Sequence, residues 1–336
     1  MNNSLAVIRR LVQSAATLFG VGIVVFILLR VVPGDPTAMM IGPGASADDV
    51  IALRARYHLD EPLLLQFFGW LRSALSGDFG TSISLHRDVM EVLLSRLPAT
   101  IELAIAALLV AVAAGVSLAV LATLYDRRAT AGIINVAVGL LLAVPDFVWA
   151  LAFVLLFGLL LPVLPLSGRI DPTLDIPFHT HFILIESLLT GRMTVFADIA
   201  AHMVMPVLAL AIPLAAIIAR VLTASLSEAM EADYVLLARI KGHSRLRLVL
   251  QEALPNAIGP TLALTGVQFT FLVGGTVIVE RIFAYPGIGN LGVDAVINRD
   301  FPLIQGLVLA FGAIFIVVNL LVDLAVTALD PRLSHA

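Results

Sequence analysis

Six stretches of this sequence are apolar over lengths that match a bilayer, and that repetition constrains the chain more than any other feature. A spanning helix needs about 20 mostly apolar residues to cross roughly 30 Å of hydrocarbon at about 1.5 Å per residue. Runs of this kind occur at 11–29, 98–125, 132–164, 202–222, 260–279 and 303–329. Composition agrees: 60% of the 336 residues are hydrophobic and 13% charged, with a mean hydropathy of +1.03. The expected fold class is all-α, a polytopic membrane protein with six transmembrane helices. The first run is longer than a signal-peptide core, and Val31-Val32-Pro33-Gly34-Asp35-Pro36 offers no small-residue cleavage site, so it reads as an uncleaved helix.

Several function classes drop out early. The chain has no cysteine, so disulfides, thiolate metal sites, thiol nucleophiles and palmitoyl anchors are excluded. A net charge of −4 argues against nucleic acid. Lys241 is followed by Gly242 but lacks the rest of a phosphate-cradling P-loop, so the chain has no Walker A motif of its own. Basic residues in short loops set orientation. One side collects Arg9, Arg10, Arg127, Arg128, Arg220, Arg239, Lys241, Arg245, Arg247 and Arg332; the short loops opposite hold Arg169, Arg192, Arg281 and Arg299. The first side is expected to be cytoplasmic, with both termini on it. The six arginines from Arg30 to Arg96 lie in a long translocated segment, which largely escapes the rule.

That external segment, 30–97, carries helix-start chemistry rather than linker composition. Ser46 suits a cap for a helix over 47–57 with Asp48 and Asp49 in its first turn. Asp60 and Pro62 open a second helix through Leu75, with Leu64, Phe67, Phe68 and Leu71 on one face, which is expected to rest on membrane or neighbouring protein. A third helix, 87–97, leads into Pro98. The chain therefore divides into 1–97, the first span with an external helical module, and 98–336, a five-helix core.

Between the fourth and fifth spans lies one long cytoplasmic connection, 225–256, within the core. Asp233 to Ile240 reads as a short helix with Leu236, Leu237 and Ile240 clustered beside Tyr234. Gly242 suits the left-handed residue that ends it, and a second helix follows over 245–254. Apolar side chains on a water-facing loop are costly unless covered, so a docking surface is one expectation. The alternative is that the segment folds onto the protein's own helix ends while its basic residues meet anionic headgroups.

This connection resembles the EAA loop of ABC-importer permeases, with the pattern E-A-A, three residues, G, nine residues, I-x-L-P. Ala238, Gly242, Leu254 and Pro255 stand at matching positions. Asp233-Tyr234, Ala238-Arg239, Lys241-Gly242, Ala253-Leu254 and Asn256-Ala257 are similar to the peptide-importer branch. So are Val32-Pro33-Gly34-Asp35-Pro36, Leu59-Asp60-Glu61-Pro62, Gly77-Asp78-Phe79-Gly80-Thr81, Tyr285-Pro286-Gly287-Ile288-Gly289, Asn298-Arg299-Asp300-Phe301-Pro302 and Leu329-Asp330-Pro331-Arg332. Together they resemble the dipeptide and oligopeptide permease subunit with the large external loop. Four positions depart from these patterns: Leu236 replaces the glutamate, Leu237 and Ile240 replace smaller residues usual in the peptide branch, and Glu252 takes the isoleucine position.

The resemblance implies a type I ABC importer permease fold in the bacterial cytoplasmic (inner) membrane. It implies a homologous second permease, two cytoplasmic ATPases that would bind ATP and Mg, an external substrate-binding protein, and a dipeptide or short oligopeptide as substrate. This chain would hold no cofactor and no catalytic residue. Its coupling residues would be Asp233, Tyr234, Leu236, Leu237, Ala238, Arg239, Lys241 and Gly242. A nickel-chelate or glutathione importer has the same architecture and is the alternative.

Polar residues within spans are expensive and so point to pathways. Asp146, after Pro145, and Gln268 are candidates to face the solute; Asp323 and Glu102 read better as helix-to-helix hydrogen-bonding or interfacial groups. Gly287 and Gly289 beside Pro286 suit a turn at the external mouth. His179 and His181, with Asp175 and Glu186 nearby, are the one hint of a metal cluster, and no metal site is expected there. A secondary transporter using Asp146, Asp323 or Glu102 as proton relays is disfavoured, since paired broken helices in two halves are missing. An intramembrane enzyme is disfavoured by the absence of H-E-x-x-H and G-x-S-x-G.

Overall fold

The computed structural model describes residues 2–31, 61–125, 128–174 and 176–329, with side chains described for 12–27, 61–125, 132–134, 136–174 and 176–321. The expected helix over 47–57 with its Ser46 cap, the motif at 32–36, Asp60, the Asp126-Arg127 turn, Asp175, the Asp323 side chain and the motif at 330–332 lie outside the described residues.

Eleven α-helices account for most of the described chain. They are α1 (Asn2–Val31), α2 (Leu63–Leu75), α3 (Val89–Leu124), α4 (Arg128–Ala143), α5 (Asp146–Phe153), α6 (Ile183–Leu189), α7 (Met193–Glu231), α8 (Asp233–Ile240), α9 (Leu254–Ile282), α10 (Ile288–Ile297) and α11 (Phe301–Leu329). Among the described residues four helices are long and apolar enough to cross a membrane: α3, α7, Arg245–Ile282 and α11. The segments 132–143 and 146–160, bent by 92° at Pro145, make a fifth if taken as one span. The thirty-residue α1 supplies the sixth apolar run.

Two boundaries differ from the sequence expectation. The helix foreseen over 87–97 and the second span are one helix, α3, with Pro98 inside it. The segment after α8 is likewise continuous with the fifth span: Arg245–Arg247, a π-helical turn Leu248–Ala253 and α9 form one 38-residue rod through Pro255 and Pro260. A proline removes one ladder donor, and wide turns and neighbouring helices absorb that loss in apolar surroundings. Pro145 behaves otherwise. It sits in extended geometry (φ −60°, ψ 153°) at the start of α5, so the third run is sharply broken there.

Two compact units divide the chain: Met1–Leu97 with Asn290–Val317, and Pro98–Gly289 with Val318–Ala336. In the first, α2 lies on α1 through aromatic contacts. Phe67 stacks edge-on against Phe19 and Phe26, with ring centroids 5.8 and 5.3 Å apart. The same unit is pinned by Asp300, which is fully buried. Its carboxylate accepts from Ser82 Oγ (2.6 Å), Ser84 N (2.9 Å) and Ser84 Oγ (2.7 Å), and also caps α11 through Leu303 N (3.2 Å). Burial pushes the Asp300 carboxyl up, but the hydrogen bonds from Ser82 and Ser84 outweigh it and hold it below the usual value.

In the second unit α3 and α7 pack through small side chains. Ala107, Ala111 and Ala119 are fully buried. Between them a Cβ on Gly115 would stand 2.7 Å from Ile218 and 2.8 Å from the Ala215 carbonyl. Spans approach closely where side chains are small, because van der Waals contact rather than water release drives their association. At one end of this unit Glu102, 3% exposed, pairs with Arg169 at 2.6 Å and accepts from Ile185 N (3.2 Å). Arg169 also donates to the His181 carbonyl at 3.0 Å. Glu102 thus has the hydrogen-bonding role expected for it. Near this pair in space, the Tyr285 hydroxyl is held above its ordinary value by burial and stays neutral.

Gly287 and Gly289 are required by close approach. A Cβ at Gly287 would sit 2.3 Å from the Glu280 carboxyl, and one at Gly289 would sit 2.7 Å from Val277 Cα. Glu280, fully buried, accepts from Thr100 Oγ1 at 2.6 Å, while Thr100 Oγ1 accepts from Ile288 N at 2.9 Å. The motif is a turn seated on a buried carboxylate.

Two stability measurements follow. Asp300→Asn lowers the melting temperature of the purified assembly at neutral pH. Because the native pKa is depressed, the wild-type advantage is complete above the ordinary carboxylate value and shrinks as pH falls through the native one; a gap independent of pH in the acid range contradicts this account. Glu102→Gln leaves Arg169 buried and unpaired, a loss of about 3–5 kcal/mol for such pairs. It therefore destabilises more than the double variant Glu102→Gln, Arg169→Gln, and equal melting temperatures for single and double variants count against the pair.

Candidate docking site

The site begins where α7 ends. This helix is 39 residues long, about 58 Å at the α-helical rise, well beyond what a bilayer requires. Its last turns carry Leu222 and Leu226, against which α8 packs. The chain turns at Ala232, which is extended (φ −71°, ψ 150°), and α8 starts with Asp233 in its first turn and Arg239 in its last, complementing the helix dipole.

Two faces of α8 have opposite surroundings. Val235 (0% exposed) and Ala238 (5%) enter an apolar cluster with Ala119 of α3, Leu222 and Leu226 of α7, Leu248 and Ala253 of the π turn, and Ala257 of α9. Tyr234, Leu236, Leu237 and Ile240 are 38%, 49%, 58% and 74% exposed. The helix thus has one covered and one uncovered face. It folds onto the protein's own helix ends through one face, while the clustered leucines and isoleucine stay uncovered on the other.

The end of α8 is a Schellman stop. Gly242 has φ +85°, its N–H donates to the Arg239 carbonyl at 3.0 Å, and His243 N donates to the Ala238 carbonyl at 3.2 Å. A Cβ at Gly242 would meet nothing within 4 Å. The demand for glycine there is conformational rather than steric. Ser244 then caps the returning helix, its Oγ accepting from Arg247 N at 3.4 Å.

Three contacts that sequence reasoning missed fix the returning arm. Arg245 Nη2 donates to the Thr123 carbonyl at the end of α3 (2.8 Å). Arg247 Nε donates to Gln251 Oε1 (2.8 Å). His243 Nδ1 lies 3.4 Å from Glu252 Oε1, the glutamate that departs from the loop pattern. Val235 was also missed, although its three-residue spacing from Ala238 is a legible sign of one face. Beside α8 a cleft of about 800 Å³ opens, lined by Thr123, Thr223, Ser227, Glu231, Arg239 and Arg245 among others.

Of the eight expected coupling residues, Asp233, Tyr234, Leu236, Leu237, Arg239, Lys241 and Gly242 are exposed, whereas Ala238 turns inward. The two pathway candidates lie elsewhere, along α9. Asp146 Oδ1 accepts from Phe147 N at 2.7 Å, and its Oδ2 lies 3.3 Å from where a Cβ on Gly275 would be. Gln268, half-buried, is two helical turns from Gly275 and about 10 Å along the axis, hence on the same stripe of α9.

Around the histidine pair the loop is ordered through backbone groups. Glu186 accepts from His179 N (2.8 Å), Thr180 N (2.7 Å) and Thr180 Oγ1 (2.7 Å), so its carboxyl is drawn down to about 2. Among the described residues no group of three potential ligands comes together for a metal ion.

Comparison with known proteins places this arrangement. Residues 111–335 match the family described as "Binding-protein-dependent transport system inner membrane component", and residues 5–104 match its N-terminal counterpart. The probable D,D-dipeptide transport system permease protein DdpB of Escherichia coli (strain K12) is 36% identical, covering 94% of this chain and 93% of that protein. The di/tripeptide transport system permease protein DppB of Pseudomonas aeruginosa (strain UCBPP-PA14) is 36% identical, covering 97% and 98%. A probable peptide ABC transporter permease of Sinorhizobium fredii is 35% identical over 98% and 99%. In fold, the chain is similar to a solved structure of the MetNI methionine ABC transporter in inward-facing conformations, with a TM-score of 0.55 at 14% identity, over 72% of this chain and 97% of that one. With its apolar spans, its long α7 and the short α8 seated on it, the chain belongs to the inner membrane components of binding-protein-dependent transport systems, the permease subunits of ABC importers.

Proposed function

We propose that this chain forms half of the translocation pathway of an importer for dipeptides or short oligopeptides, and that α8 transmits the motion of a cytoplasmic ATPase. The observation that carries the second part is the split of α8. Val235 and Ala238 hold it on the ends of the spans, while Tyr234, Leu236, Leu237 and Ile240 remain uncovered. An apolar patch of this kind on a water-facing helix calls for a protein groove. The substrate class rests on the relatives, whose names specify peptides, D,D-dipeptides and di- or tripeptides.

In this reading the chain lies in the bacterial inner membrane with both termini and α8 in the cytoplasm. Residues 1–97 are an external module on the first span, and 98–336 are the permease core. A homologous permease completes the pore. Two ATPases beneath the pair bind and hydrolyse ATP with Mg, and an external binding protein delivers the peptide. Closure of the ATPases pushes on α8. Because α8 packs against the ends of α3, α7 and α9 together, the push moves these spans as a body and shifts the balance between inward- and outward-open states. No residue of this chain performs chemistry; Asp146 and Gln268, filed along α9, present polar groups to the passing peptide backbone.

Two measurements test the lever. Gly242→Val forces a β-branched residue into a left-handed conformation that costs roughly 1–2 kcal/mol. In proteoliposomes holding the whole transporter, ATP hydrolysis is expected to continue while peptide uptake falls several-fold. Gly242→Asn, which tolerates that conformation, retains uptake. Normal uptake by the valine variant removes the lever assignment. Leu237→Glu and Leu236→Glu place a charge on exposed positions and spare the fold, so permease yield stays unchanged while recovery of co-purified ATPase drops several-fold. Unchanged recovery counts against an apolar docking face.

A further inference from the structure

The helix α2 has apolar residues on both sides, and only one side is used within its unit. Gln66 and Phe67 are buried, Gln66 turning its amide back to the Glu61 carbonyl at 2.8 Å. The opposite side shows Leu64, Leu65, Phe68 and Leu75, 72%, 57%, 59% and 82% exposed. Leu63, at the start, is 61% exposed. The helix has no charge before Arg72 in its last turn. A helix on a water-exposed module rarely carries this pattern.

The contacts of α2 fix its depth. Phe67 meets both Phe19 and Phe26, and Trp70 lies 5.9 Å from Phe26 between ring centroids. A Cβ on Gly22 would stand 3.5 Å from the Trp70 ring. These partners belong to the apolar run 11–29, whose middle is Gly20. At about 1.5 Å per residue, Phe19 sits within about 2 Å of the midplane of that run, Gly22 about 3 Å and Phe26 about 9 Å beyond it, inside a hydrocarbon half-thickness of about 15 Å. Tilt of α1 only reduces these heights. The partners of Phe67 and Trp70 are therefore at hydrocarbon depth.

We infer that α2 is a half-inserted helix of the leaflet on the C-terminal side of the first span, with Leu64, Leu65 and Phe68 against lipid acyl chains. It is too short to cross: thirteen residues reach about 20 Å of the roughly 30 Å needed. Its backbone suits that setting. Pro62, just before it, has no N–H to satisfy; Leu65 N and Gln66 N donate to the Pro62 carbonyl; and Ser76 N closes the other end on the Arg72 and Ser73 carbonyls. Arg72, exposed in the last turn, reaches toward headgroups while its stem covers apolar surface. Val24 and Ile27 of α1 are exposed apolar residues as well. Acyl chains cover both. In α2 the external module thus has a second membrane anchor beside the first span. This inference rests on the spanning assignment of α1 and is independent of substrate and of the α8 lever.

The chain has no cysteine, so single labelling sites can be introduced directly. Leu64→Cys, Phe68→Cys and, as a water-facing control, Leu85→Cys (44% exposed between α2 and α3) carry a nitroxide in the complete transporter. That transporter is held in phosphatidylcholine nanodiscs, with its other subunits free of reactive cysteine. Oxygen, which partitions into lipid, and nickel-EDDA, which stays in water, compete as relaxants. The expected result at positions 64 and 68 is strong oxygen and weak nickel relaxation, with a ratio several-fold above that at 85. Leu65→Cys replaces either site if its variant assembles poorly. Nickel relaxation equal to that at 85 shows the face in water and overturns the inference. Exclusion of both relaxants also overturns it, by showing the face covered by another subunit.

Discussion

The hydrocarbon interior offers no hydrogen-bond partner, and this organises the rest of the molecule. Backbone groups must close on themselves, so the apolar runs are largely helical, the third with a break at Pro145. Association of the helices cannot draw on water release, so α3 and α7 meet where side chains are smallest, with Gly115 and the alanines around it fitted to Ile218 and Ala215. Buried polar side chains are costly unless a partner is fixed. Glu102 with Arg169, Glu280 with Thr100 and Asp300 with two serines are three such arrangements, each holding a short loop against a helix end.

The same constraint explains why the loops are so specific. Tyr285-Pro286-Gly287-Ile288-Gly289 reads as a turn from its composition, but its glycines are there because the Glu280 carboxyl fills the space their side chains would take. His179 and His181 look like ligands in sequence. In the fold one lends its backbone N–H to Glu186 and the other its carbonyl to Arg169. In both places a carboxylate buys order in a loop by collecting donors that water would otherwise satisfy.

For the proposed α8 lever the problem is mechanical. A short helix can pass on a push only if it is fixed to what it moves. Val235 and Ala238 enter a cluster drawn from α3, α7, the π turn and α9, and Arg245 ties the returning arm to Thr123. The Schellman stop at Gly242 sets the angle at which the chain leaves. What remains uncovered is apolar, consistent with a chain in which leucine replaces the glutamate of the usual loop pattern.

Much of this was legible beforehand. Apolar run length predicts spans because hydrocarbon thickness is a fixed ruler, and Gly242 predicts a helix stop because few residues tolerate φ near +85°. The order of short motifs along the chain suffices for the family. The sequence suggests helix ends at 97 and 254, yet the helices run on through Pro98 and Pro255, since whether a missing donor ends a helix depends on the neighbours that absorb it. The sequence by itself determined helicity, the number of apolar runs, the α8 element and its stop, for these follow from local chemistry and the bilayer. Only the tertiary structure decided that Val235 rather than Leu236 faces inward, that Glu102 meets Arg169, that Asp300 gathers Ser82 and Ser84, and that α2 sits at the depth of Phe19 and Phe26. Those facts join residues far apart in the chain, and no local preference specifies which distant partner a side chain will find.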